Sequence, residues 1–217
     1  MPLSPPVGRQ HLHTRHVTCQ GFFREDGLWD VEGRITDTKS YEHGNEWRSP
    51  LKPGEFVHDM SIRLTFDHKF TIVDVEAVTD SSPYRICGEV APDFRKLIGL
   101  RIGVGFHRAV RERLGGVHGC THIVELLGPV ATTAFQTVSS RKARDLNREH
   151  RANSGTLPKP DAARAKKPPR KPYVLDTCHA WASDGEVAKR WTPQFYTGPD
   201  AEAVRAAAAG KEIEMDG

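Results

Sequence analysis

A change of hydrophobic period at residues 80–83 constrains the fold more than any other feature of this chain. Before it, apolar and polar residues alternate, as where Ile62, Leu64 and Phe66 are separated by single polar residues. That period of two is typical of half-buried antiparallel strands. After it, apolar residues recur at helical spacing. Strands followed by helices predict an α+β domain rather than an alternating α/β one.

The strand half of the chain predicts two hairpins. The first turns at Asp26-Gly27, a strong hairpin signal because both residues tolerate a positive φ. The second turns at residues 67–69, and residues 37–54 between the hairpins read as a polar loop. We expect an antiparallel sheet of about four strands with helices packed on one face. The predicted strands are residues 16–24, 28–36, 56–66 and 70–78.

The helical half predicts three main helices. Ser82 is a good N-cap and Pro83 suits a first helical turn, so a helix should follow, kinked at Pro92. The last and longest helix should begin at Cys120 and bend at Gly128-Pro129. The predicted helices are residues 84–98, 106–114 and 120–140.

Charge divides the chain unevenly. The net charge is +3, yet residues 141–172 hold eleven Lys and Arg against three Asp and Glu, which leaves −5 elsewhere. Rich in Pro and Ala without apolar periodicity, this segment is interpreted as a disordered basic linker. It would divide a core domain, residues 1–140, from a segment, residues 173–217, that returns to the core. In that segment residues 173–181 resemble a strand, and residues 202–211 a helix.

Composition excludes several classes of protein. No apolar run approaches the ~20 residues of a membrane helix, and the N-terminal residues do not resemble a secretory signal. Four well-separated cysteines indicate free thiols or metal ligands in a reducing compartment, so we expect a cytoplasmic protein. A nucleic-acid surface is disfavoured because the basic charge is confined to one segment. A homodimer remains open, with Trp29 and Val31 lining either its interface or an internal ligand pocket.

The stretch from Gly115 to Glu125 is the richest in chemistry. Cys120 stands where the long helix begins, and a helix N-terminus favours the thiolate. His122 brings an imidazole to the same end, and Glu125, three residues later, could orient that ring. The three suit a zinc or iron site, or equally a cysteine nucleophile with a histidine base. A capped helix with a buried thiol is the purely structural alternative.

His58 is the second candidate. It shares strand parity with Met60 and Ile62, so its side chain should face the helices and could meet Cys120 and His122. The hypothesis is therefore a metal site of His58, Cys120 and His122. A structural histidine satisfied by a buried partner is the alternative. Cys178-His179 could add a fourth ligand or a mobile contact, and residues 11–13 read as a solvated tail, with metal scavenging or closure of the site as alternatives.

With these residues in view, the chain resembles DUF2889, an uncharacterised and mostly bacterial family. The resemblance covers roughly residues 11–140 and implies no reaction. Its matching pieces are His13-Thr14-Arg15, Asp26 to Gly33, His58-Asp59-Met60, Gly119 to His122, Thr133 to Gln136 and the Cys178-His179 segment.

A more distant likeness is to iron–sulfur scaffold proteins of the NifU/IscU type. It implies a similar α+β fold, with His58 where the scaffold has an aspartate ligand and Cys120 where it has its final cysteine. Phe56 and Ser82 stand approximately where its other cysteines lie, which departs from a cluster site and leaves a mononuclear one.

These observations lead to two functional hypotheses. The first is a small enzyme whose metal or thiolate site acts on a small organic compound by hydrolysis, hydration or lyase chemistry, with zinc or iron as the possible cofactor. The second is a non-catalytic carrier or adaptor for a metal or sulfur, whose basic segment engages an acidic partner.

Overall fold

The computed structural model describes residues 3–154 and 171–213 and divides the chain into two compact units, residues 1–149 and 150–217. The first unit contains a four-stranded antiparallel sheet in the order β1-β2-β5-β6, and a separate small hairpin of β3 and β4. The α+β prediction and both main hairpins are confirmed. The strands are β1 His13–Phe23, β2 Trp29–Lys39, β3 His43–Asn45, β4 Arg48–Leu51, β5 Phe56–Phe66 and β6 Ile72–Ser81.

The helices of the first unit pack on one face of the sheet. A 3-10 helix, Arg85–Leu97, comes first, and α1 Phe106–Leu114 and α2 Thr121–Ser154 follow. The inward face of β2, with Trp29, Val31 and Ile35, is buried in the common core. Trp29 and Val31 therefore belong to the core, and a homodimer stays a prediction. The opposite face of the sheet carries ion pairs such as Arg34–Asp59.

Three elements depart from the predicted ones. The segment after Ser82 forms a 3-10 helix through Pro92 rather than a capped α-helix, and Ser82 Oγ donates to the carbonyl of Tyr84 instead of capping. Proline has no N–H, so it cannot complete an α-helical hydrogen bond there. β2 continues to Lys39, and the β3–β4 hairpin lies within the predicted loop.

The long helix α2 does not stop near Ser140 but runs to Ser154, so the predicted disordered linker is wrong at residues 141–154. Residues 155–170 of that predicted linker lie outside the described residues. Arg141, just past the predicted end, places its guanidinium carbon 3.6 Å from the ring centroid of Phe23. This cation–π contact ties the extension of the helix to β1.

The second unit has a small core of its own. Leu175, Ala188 and Tyr196 are buried, with Trp181, Phe195 and neighbouring residues packed against them. The predicted strand at residues 173–181 is wrong, because the segment forms turns and a 3-10 helix, His179–Trp181. The terminal helix is confirmed. The remaining elements are α3 Glu186–Trp191, a 3-10 helix Pro193–Phe195 and α4 Ala201–Ile213.

Candidate functional site

Strand register aligns three functional side chains in one row across the sheet. Arg15 of β1 lies opposite Asp37 of β2, and Asp37 lies opposite His58 of β5. Because paired residues on neighbouring strands point to the same face, all three side chains are on the side that the helices cover. The prediction that His58 faces the helices is confirmed by this row.

Asp37 is the buried centre of the row. Its carboxylate, 1% exposed, accepts hydrogen bonds from Arg15 Nε and Nη2 at 2.9 Å, His13 Nε2 at 2.8 Å and His58 Nδ1 at 3.0 Å. Burial by itself raises the pKa of this carboxyl, but the bonds from Arg15 and His13 outweigh it and lower the pKa to about 2. Asp37 is therefore ionised near neutral pH, and its four lone-pair positions are all engaged.

This arrangement determines the tautomer of His58. An ionised carboxylate only accepts, so the Nδ1 atom of His58 must carry the proton. Burial, and secondly the nearby His122, lower the pKa of His58, which keeps the ring neutral near pH 7. Nε2 is then left with a lone pair, which suits either a general base or a metal ligand.

Cys120 and His122 reach the site from the start of α2. The carbonyl of Cys120 accepts the first helical hydrogen bond, from Val124, so Cys120 is the residue at which the helix starts. The preceding turn is tight, since a Cβ on Gly119 would collide with the carbonyl oxygen of Leu114. Glycine at that position allows the chain to leave α1 and enter α2 within six residues.

The predicted convergence of these groups is observed. The rings of His58 and His122 lie 3.9 Å apart between centroids and are tilted by 33°. Cys120 Sγ lies 4.0 Å from His122 Nδ1 and 3.5 Å from Met60 Sδ. Burial, and secondly Arg15, lower the pKa of His122. Two neutral imidazoles and a thiol thus meet at one point between β5 and α2.

Glu125 does not orient the ring of His122 as expected. Its carboxylate is 60% exposed and accepts a hydrogen bond from Arg15 Nη1 at 2.9 Å. Arg15 therefore joins Asp37 of the sheet to the first turns of α2. Sequence spacing suggested His122 as the partner of Glu125. The row across the sheet instead brings Arg15 within hydrogen-bonding distance of that carboxylate.

The donor set also resembles a metal site. Asp37, His58 and His122 each offer an atom within 4.8 Å of the others. Since Arg15, His13 and His58 already occupy the lone pairs of Asp37, this carboxylate is better suited to orient His58 than to bind an ion. Cys120, a member of the predicted metal set, does not belong to that group, and its Sγ lies 4.0 Å from His122 Nδ1. His58 and His122 are left as nitrogen ligands, and Cys120 would have to move closer to complete a zinc or iron site.

A cavity of about 460 Å³ adjoins these side chains. His58, Cys120 and His122 form one wall, and exposed Ile86 and Val117 are at its rim. Pockets of roughly 300–1,000 Å³ hold small organic ligands. The reactive groups therefore face a space in which a small molecule fits. The remaining lining residues are Met60, Pro83, Tyr84, Cys87, Val90, Gly119 and Thr121.

Two other predicted sites have different outcomes. His13 belongs to β1 and bonds to Asp37, so this residue is not part of a solvated tail. Cys178 and His179 lie in the second unit, where Cys178 is exposed. Their role as an extra ligand or mobile contact stays a prediction.

Asp37 and Arg15 were missed as site residues by sequence reasoning. Asp37 shares strand parity with Val31 and Ile35, and a carboxylate continuing a buried stripe was the available signal. Extending the strand by one residue would have exposed it as a buried charge that needs partners. No comparable signal singled out Arg15, because its partner depends on the β1–β2 register.

These features define the class as an α+β protein with a histidine–cysteine site, backed by a buried carboxylate, beside a cavity. Residues 13–136 match the model of DUF2889, described as a protein of unknown function. The match spans more than half of the chain, which therefore belongs to that family. No curated protein and no solved structure matches the chain, so the likeness to NifU/IscU-type scaffolds gains no support.

None of the helices formed by residues 3–154 and 171–213 has the length and apolar character that crossing a membrane requires. The cytoplasmic location stays a prediction.

Proposed function

We propose that this protein is an enzyme that carries out hydrolysis, hydration or lyase chemistry on a small organic molecule bound in the cavity. One observation carries the proposal: the ring of His58, fixed by Asp37, lies 3.9 Å from the ring of His122 at the wall of that cavity. A structural histidine would need no second neutral imidazole and no opening beside it.

In this mechanism His58 is the general base. Its Nδ1–H is held by Asp37, so Nε2 accepts a proton from a water molecule or from an acidic carbon of the substrate. Asp37 stabilises the imidazolium that forms, because the carboxylate stays ionised behind it. The imidazolium of His58 then returns this proton to the leaving or newly formed oxygen, and the N–H of neutral His122 stabilises that oxygen by donating a hydrogen bond.

Cys120 has two possible parts in the same site. As a nucleophile it would use His122 as its base, although the 4.0 Å separation must shorten on substrate binding. As a ligand it would join His58 and His122 around zinc or iron, which would polarise a carbonyl or acidify a bound water. The nitrogen and sulfur donors of the site support the metal version, since the lone pairs of the neighbouring Asp37 carboxylate are already occupied by hydrogen bonds.

The carrier hypothesis rests on the same donors without turnover. Sulfur or a metal held by Cys120 would be passed to a partner, as in the scaffold proteins. No solved structure matches the chain, so the scaffold likeness adds no support to a carrier. The cavity beside the site also has no role in a carrier, which favours the enzyme.

Hydrolysis of p-nitrophenyl acetate tests the reactive imidazole directly. We expect catalysis above the buffer rate that falls about 100-fold in His58→Ala, as general-base catalysis typically contributes. His118→Ala is the matched control, since His118 is exposed in the turn before α2 and should change nothing. Equal rates in wild type and His58→Ala would contradict the proposal.

Metal analysis of the same proteins separates the versions. Protein purified after growth with zinc and iron should hold about one equivalent of metal if the ion is resident, as expected for a three-ligand site. Cys120→Ala and His58→Ala should then lose it, and His118→Ala should keep it. Metal-free wild type with undiminished hydrolysis would leave the acid–base version, and bound metal without any turnover would favour the carrier.

A further inference from the structure

The cavity beside His58 has an unusual composition for a site that binds metabolites. Of the described residues that line it, none is Lys, Arg, Asp or Glu. Its polar groups are two imidazoles, two thiols and two hydroxyls, from His58, His122, Cys87, Cys120, Tyr84 and Thr121. Its apolar walls come from β5, the 3-10 helix and the turn before α2. The apolar members are Met60, Pro83, Ile86, Val90 and Val117.

The charges behind His58 are already paired. Asp37 lies behind His58 and binds the guanidinium of Arg15 through two hydrogen bonds. Arg15 in turn binds Glu125. Neither Asp37 nor Arg15 lines the cavity, so neither offers a counter-charge to a ligand inside it. A charged ligand would lose its hydration there without an ionic partner, which costs free energy.

A second cavity in the same unit provides a contrast. Its volume is about 490 Å³, and it is lined by Lys96, Glu112, Arg113 and His118. Fixed charges of both signs are therefore present elsewhere on this unit. Their absence among the described residues around His58 is a property of that site.

We propose that the cavity beside His58 binds a neutral, largely apolar small molecule that carries a carbonyl or hydroxyl group. The apolar body packs between Ile86, Val90 and Val117, and the polar group points to the imidazoles. A carbonyl accepts a hydrogen bond from an imidazole N–H, and a hydroxyl donates to Nε2 of His58. The orientation of the ligand, with its polar group toward the imidazoles, rests on the proposed function. The inference excludes nucleotides, phosphate esters and small carboxylates as substrates.

Benzamide and benzoate form a matched pair of probes, since they have nearly the same shape and differ in charge. NMR titration of protein with labelled histidine rings and Ile and Val methyl groups reports where each one binds. We expect benzamide to shift the signals of His58, Val90 and Val117 in a saturable way. The affinity for benzoate at this site should be lower by about tenfold or more, because its carboxylate finds no counter-charge.

Two variants make the result specific. Ile86 is 69% exposed, so Ile86→Asp should leave the fold intact. It should remove the apolar contact of Ile86 with the ligand at the rim and weaken benzamide binding about tenfold. Ile86→Leu is its control and should keep wild-type affinity. Benzoate binding at least as tightly as benzamide, or benzamide leaving the signals of His58 and Val90 unshifted, would overturn the inference.

The binding measurement is independent of turnover. If benzamide binds as expected while hydrolysis of p-nitrophenyl acetate does not depend on His58, the ligand class stands and the proposed enzyme fails. If hydrolysis depends on His58 while benzoate is the better ligand, the enzyme stands and the ligand class fails.

Discussion

At the scale of single residues, Asp37 determines what the site can do. The buried carboxylate binds Arg15, His13 and His58 at once, which sets the proton of His58 on Nδ1. Removing the charge would leave the guanidinium of Arg15 without its main partner and would free the ring of His58 to adopt the other tautomer. Structure and reactivity therefore depend on the same carboxylate.

The lowered pKa of Asp37 predicts how stability depends on pH. The folded-state pKa is about 2 and the ordinary value 3.8, so the stabilising contribution is complete above about pH 4. It is lost as the pH falls from about 4 toward about 2, and it amounts to roughly 2 kcal/mol. Urea unfolding of the metal-free protein across this range measures it.

Asp37→Asn supplies the control for this prediction. It should lower the unfolding free energy at pH 7 by about 2 kcal/mol, as expected for hydrogen bonds to charged groups, and flatten the dependence between pH 4 and pH 2. Glu25→Gln, at the exposed first hairpin turn, should leave that dependence in place. An equally steep loss of stability in Asp37→Asn would contradict the assignment.

The sequence predicted His58, Cys120 and His122 as neighbours from parity and helix position alone. Strand parity oriented His58, and the Gly-rich stretch located the start of the helix. Asp37 and Arg15 escaped because their role depends on which residues pair across β1, β2 and β5. Register of this kind is a long-range property that local pattern does not encode.

At the scale of elements, the contact between α2 and β2 holds the two halves of the site together. Gly33 lies at the crossing, where a Cβ would be 2.5 Å from Cγ2 of Val130 and 3.0 Å from Cγ of Leu126. Both helix residues are fully buried and have little room to move. The distance between His122 on the helix and His58 on the sheet therefore depends on glycine at this position.

Gly33→Ala tests that dependence. Overpacking of this kind costs about 1–3 kcal/mol, so the unfolding free energy in urea should fall by that amount. The affinity of the cavity for benzamide should fall with it, since α2 must move away from the sheet. Gly88→Ala is the control, because a Cβ there meets no atom within 4 Å.

If Gly33→Ala proved as stable as wild type and bound benzamide equally well, the close approach of α2 to β2 would be of no consequence for the site.

The helices also show the limits of prediction from local sequence pattern. The bounds of α1 matched the prediction, whereas the bonding type of Arg85–Leu97 and the end of α2 did not. Some helices are stabilised by packing or by distant contacts, such as that of Arg141 with Phe23. Their own sequence does not predict their bounds or their hydrogen-bonding type.

At the scale of the whole molecule, the order of strands and helices was sufficient to predict the α+β class and the four-stranded sheet. The small core of the second unit was not foreseen, because its few apolar residues are spread over short turns without a period. The chemistry is concentrated in the first unit, within the residues that match the family model. We therefore expect the site row and the cavity to be the functional part of this chain.

The proposed general-base mechanism depends most directly on the protonation of His58. Long-range proton–nitrogen NMR of the metal-free protein at pH 7 distinguishes a protonated ring nitrogen from one with a lone pair. We predict a neutral ring with the proton on Nδ1 and a free Nε2, and a change of that pattern in Asp37→Asn. A proton on Nε2 with Nδ1 free, or a fully charged ring at this pH, would contradict the proposed base and the site built around it.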